Sequence, residues 1–230
     1  MLWLKSWLET RWRLVAALGF LGLILFLAQP SRGASSPEEP SRLFNILPVL
    51  WMFFAVVLAG AGINTQSAFR ATKGLHGSIY FTLTLPVSRL RLLAVRAGIG
   101  ILEMSGLIAL GCFTVWTLFP LMRGQSTPFD RIEYVVAVVL CISGFYSFSV
   151  FLSTFLDDLW RTWISMGALF ILRRLWTLTS PPPSLDIFRA MTDASPLITH
   201  ALPWTAMGIS IGVAGVFFLM ALKVVETREY

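Results

Sequence analysis

Residues 134–156 read YVVAVVLCISGFYSFSVFLSTFL, without one charged side chain. A helix on the surface of a soluble domain keeps one charged, polar face, and here hydroxyls are the only polar groups. A run close to the ~20 apolar residues that cross a ~30 Å hydrocarbon layer reads as a membrane span. Four more runs between consecutive charges behave alike: Leu14–Ser31, Leu43–Phe69, Met104–Met122 and Ala194–Leu222. Each meets the ~18-residue threshold for a spanning helix. Over the 230 residues 56% are hydrophobic and only 13% are charged, about half the ~25% usual in a soluble domain. Mean hydropathy is +0.74. These features predict an all-α integral membrane protein, a single domain over 1–230.

Six spans fit, at about 14–30, 44–66, 92–119, 133–156, 160–180 and 203–222. The fifth is the shortest apolar stretch. Only Thr162–Leu172 is uncharged before Arg173 and Arg174, a rise of about 17 Å. That helix therefore carries both arginines into the outer half of the membrane, and the prolines of "SPPP" at 180–183 end it. The first run is read as a retained span rather than a signal peptide. Before it, residues 2–13, LWLKSWLETRWR, predict a separate interfacial helix. Trp3, Leu4, Trp7 and Leu8 are placed on its apolar face, with Lys5, Ser6, Glu9 and Thr10 facing away. Asp193-Ala194-Ser195-Pro196 is a candidate start for another short helix.

Lysine and arginine set the orientation. With the N-terminus inside, one side holds Lys5, Arg11, Arg13, Arg70, Lys73, Arg89, Arg91, Arg96, Arg161, Lys223 and Arg228. The other holds Arg32, Arg42, Arg123, Arg131, Arg173, Arg174 and Arg189. The excess is concentrated between the second and third spans. Both termini are expected in the cytoplasm, in the cell's inner (plasma) membrane.

The net charge of +6 is accounted for by this anchoring, and no nucleic-acid partner is expected. Cys112 and Cys141 fall inside apolar runs, where a thiol acts as a small hydrophobe. The three lysines precede Ser6, Gly74 and Val224, so no Gly-Lys-Ser/Thr phosphate loop exists. No His-Glu-x-x-His occurs either. "CISGF" at 141–145 and His200 resemble in outline an intramembrane serine protease that would pair Ser143 with His200. That family's motif has glycine two residues before the serine, where this chain has Cys141. A non-transporting membrane scaffold is the third alternative.

Glu103 is the one acid in an otherwise apolar span. It lies 12 residues after Arg91, and Arg173 lies 12 after Arg161, so both rise about 18 Å. Charges in lipid are costly unless paired. Glu103 is therefore expected to face Arg173 or Arg174.

Residues 70–103, RATKGLHGSIYFTLTLPVSRLRLLAVRAGIGILE, resemble the permease subunits of type-2 ATP-binding-cassette transporters. The likeness is carried by a glycine-containing lead-in, "FTLTLPVSR", and a "LL" plus basic start to the third span. The resemblance implies a coupling helix between spans two and three, at about Gly77–Leu85, docked on a separate cytoplasmic ATPase. Gly77, Ser78, Tyr80, Phe81, Thr82 and Leu83 would make the contact and Pro86 would end the element. Ser88 or Arg89 would cap or anchor the next helix, and Asp157-Asp158-Leu159-Trp160 would be a secondary contact. It also implies a homodimer or heterodimer with a second permease in the lipid bilayer, and export as the direction of transport. This chain would carry no cofactor, ATP and Mg being bound by the partner ATPase.

Overall fold

The computed structural model describes residues 2–27, 39–59, 88–118, 127–156, 158–182, 184–193 and 195–227. Among them every regular element is a helix: α1 (Leu2–Leu27), α2 (Glu39–Leu58), α3 (Arg89–Leu118), α4 (Pro128–Leu152), α5 (Asp158–Thr179), α6 (Ile187–Ala190), α7 (Pro196–Thr199) and α8 (Trp204–Thr227). Four are long and apolar enough to cross a membrane, through Thr10–Leu27, Leu90–Leu118, Pro128–Leu152 and Trp204–Thr227. Of the six spans expected, two fall short of this among the described residues. The apolar part of α2 is Ile46–Leu58, and 60–66 lie outside the described residues. α5 has 22 residues, but Asp158, Arg161, Arg173 and Arg174 interrupt its apolar character.

α1 runs unbroken for 26 residues, about 39 Å. The separate interfacial helix expected at 2–13 is instead the first turns of this one helix. The physical reason is local: Arg11-Trp12-Arg13-Leu14 contains neither glycine nor proline, so nothing breaks the hydrogen-bond ladder. Thr10 also corrects its expected placement. It is buried together with Ala17, Leu21 and Leu25, and seven residues after Trp3 it returns to within about 20° of the same direction.

α3 runs parallel to α1 and antiparallel to α2 and α4. Glycine makes those approaches close. A Cβ on Gly100 would lie 2.8 Å from the Leu58 carbonyl oxygen and would collide with the Tyr146 hydroxyl. One on Gly111 would run into the Trp51 ring. The core gathers where α2, α3 and α4 meet, around Trp51, Phe54, Met104, Ile108, Ala137 and Tyr146, none more than 1% exposed.

α8 packs along α4 through small residues, as membrane helices do when backbones approach closely. Ser210 Oγ donates to the Cys141 carbonyl at 2.7 Å. A Cβ on Gly144 would lie 3.0 Å from the Ser210 carbonyl oxygen. Phe217 stacks edge-on against Phe148, ring centres 5.1 Å apart. At the far end from the N-terminus, Tyr134 Oη donates to the Met191 carbonyl beyond α6 at 3.3 Å. α7 begins at Pro196, close to the short helix start expected near Asp193.

Candidate functional site

The residues expected to dock a partner, Gly77, Ser78, Tyr80, Phe81, Thr82, Leu83 and Pro86, lie outside the described residues. Their C-terminal junction is described. Ser88 Oγ accepts from the Arg91 N–H at 3.3 Å, its carbonyl accepts from the Leu92 N–H at 3.1 Å, and Arg89 is the first residue of α3. Ser88 thus caps α3, satisfying a donor that the first turn would otherwise leave unpaired.

Glu103 sits halfway along α3, only 7% exposed. It faces α1 and accepts from Thr10 Oγ at 2.5 Å through Oε1. Its other oxygen, Oε2, is buried with no hydrogen-bond partner among the described residues. Arg13 lies one turn beyond Thr10 on α1, and its charge acts on the carboxylate. Arg173 and Arg174 are exposed on α5, and the structure brings neither to Glu103. Counting residues along two helices says nothing of azimuth, and Glu103 turns toward α1.

Beside this contact, α1 and α3 enclose a groove of about 640 Å³, open along one side. Trp3, Trp7, Leu14, Leu102, Gly106 and Leu110 contribute to its wall, and among the described residues Glu103 is the one ionisable side chain that lines it. On the other side of Thr10 lies a cavity of about 10 Å³ touching Arg96 and Ser153, the size of one water molecule. Further polar groups extend the belt toward α5. Tyr146 Oη donates to the Ala97 carbonyl at 2.7 Å, and Ser165 Oγ donates to Ser149 Oγ at 3.3 Å. Arg161 is buried beside them, 1% exposed. The N-terminal half of the bundle therefore holds a polar seam inside an apolar shell.

A second polar group lies at the opposite end. Asp130 Oδ2 accepts from the Thr127 N–H at 2.8 Å, and Thr127 Oγ accepts from the Asp130 N–H at 3.2 Å, closing a capping box at the start of α4. His200 Nδ1 meets the same Oδ2 at 3.0 Å. His200 takes a left-handed conformation, φ 52°, as the cap of α7. Ser143 is 13 residues beyond Asp130, about 20 Å along α4, and its hydroxyl donates to the Leu140 carbonyl at 2.7 Å. The serine–histidine pairing is therefore not formed. Ser195 Oγ is buried with no hydrogen-bond partner among the described residues, so it is not bonded to the imidazole either.

No protein family, curated protein or solved structure matches this chain.

Among the described residues no group of three His, Cys, Asp or Glu side chains could hold a metal ion. The carboxylate at the groove can accept hydrogen bonds and neutralise a cation, and the apolar walls can hold a hydrophobic body. Sequence reasoning found Glu103 because an acid in an apolar run is conspicuous. It missed Thr10, whose partner is 93 residues away, and the Asp130–His200 contact across 70 residues. One signal was available for Thr10: it shares helical register with Ala17, Leu21 and Leu25, the buried stripe.

Proposed function

We propose that this chain is the membrane-spanning permease subunit of an ATP-binding-cassette exporter, driven by a separate cytoplasmic ATPase. The observation that carries the reading is the stretch FTLTLPVSR at 81–89, which leads straight into the Ser88-capped start of α3. In this reading α2 and α5 cross the membrane with the four apolar helices, giving six crossings and cytoplasmic termini. Two such chains, alike or different, form the pathway. Residues 77–85 dock on the ATPase.

The mechanism follows from rigidity. α3 has 30 residues and is held against α2 and α4 at Gly100 and Gly111 without room for a methyl group. A displacement of its capped end is passed to its neighbours as a rigid-body movement rather than absorbed. ATP and Mg belong to the partner subunit, and this chain supplies the docking element, the lever and the pathway.

Purification of the tagged chain from its native membranes, with the co-purifying proteins searched by mass spectrometry for an ATPase subunit, tests the proposal. A stoichiometric complex that is lost on Phe81→Asp or Leu83→Asp, while the permease itself remains monodisperse, is the expected result. A permease that purifies alone in every condition, or a complex indifferent to both substitutions, contradicts it.

A further inference from the structure

The groove between α1 and α3 has a chemistry of its own, which does not depend on an ATPase. We propose that it is a binding site for a lipophilic amine, an ammonium head on an apolar body, entered sideways from the bilayer. Its volume of about 640 Å³ falls within the ~300–1,000 Å³ of ordinary ligand pockets. Among the described residues the walls are apolar, apart from Glu103.

Charge complementarity selects the occupant. Glu103 is 93% buried, being 7% exposed. Thr10 satisfies Oε1, and Oε2 is left without a donor among the described residues. A buried acceptor without a donor is costly, and an ammonium N–H supplies what is missing. An alkyl chain alone would fill the walls and leave Oε2 unpaired. An anion would meet a carboxylate in a low-dielectric site, and a small hydrated cation would lose its water to leucine side chains. Trp3 and Trp7 line the same groove, and tryptophan rings attract a cation.

Two substitutions separate recognition from folding. Glu103→Gln retains the shape and an oxygen for Thr10 but removes the charge. Gly106→Leu puts a side chain into the groove, and its Cβ meets nothing within 4 Å.

The test uses the full chain in phosphatidylcholine nanodiscs with a diazirine-bearing dodecylamine, photolysed and mapped by peptide mass spectrometry. The same-length alcohol and carboxylic acid serve as matched probes. Adducts are expected on Leu4, Leu14, Leu102 or Leu110, displaced by unlabelled dodecylamine. They should be stronger for the amine than for the alcohol by about tenfold, the factor expected of one charge-assisted hydrogen bond. Glu103→Gln and Gly106→Leu should each reduce them by a similar factor. Equal labelling by amine and alcohol, labelling unchanged in Glu103→Gln, or adducts elsewhere on the chain would overturn the proposal; the first two would mark the groove as a seat for lipid acyl chains only. No ATPase enters the experiment, so failure here leaves the permease reading standing, and the reverse also holds.

Discussion

The seam between α4 and α8 and the seam between α1 and α3 are both lined with glycine, to opposite effect. In the first, Gly144 brings the backbones together, so that a Cβ would sit 3.0 Å from the Ser210 carbonyl oxygen. The Ser210 hydroxyl closes the same contact on Cys141 at 2.7 Å. In the second, Gly106 faces empty space, and the helices touch above and below a groove with a carboxylate at its edge. Lipid tails are as apolar as leucine, so helices in a membrane gain from contact and hydrogen bonding rather than from burial as such. The open seam beside a buried acid is where the amine site is proposed, whereas the closed one leaves no room for an occupant.

The contrast can be broken from either side. Gly144→Leu should damage the fold most, by about 3 kcal/mol, because the added side chain meets backbone that cannot swing aside. Thermal unfolding in detergent would register it as a lower Tm and a loss of monodisperse protein. Ser210→Ala removes one interhelical hydrogen bond and should cost about 0.6 kcal/mol, measurable in the same assay. Gly106→Leu, the same chemical change as the first, should alter stability by no more than about 0.5 kcal/mol. If Gly106→Leu proved as damaging as Gly144→Leu, the open seam would be a closed one.

The sequence made some of this architecture plain and hid the rest for identifiable reasons. Uncharged runs located the four apolar helices, because a bilayer demands length and apolarity and those are local properties. The start of α1 was misread where tryptophans and arginines suggested a separate surface helix, although nothing in Arg11-Trp12-Arg13-Leu14 could end one. Glu103 was visible, but its partner was not. Depth along a helix can be counted in residues, whereas the direction a side chain faces is fixed by packing against α1, which brings Thr10 across 93 positions. His200 was likewise visible, and its neighbour Asp130 emerged only once α7 folded back on the start of α4.

The central claim is that residues 77–85 meet an ATPase. A photoreactive amino acid in place of Phe81, irradiated in living cells, tests it most directly. The account predicts one dominant adduct, containing a protein whose tryptic peptides include both a Gly-Lys-Ser/Thr phosphate loop and the family's nucleotide-binding signatures. Adducts with lipid alone, or with proteins lacking those sequences, would contradict it.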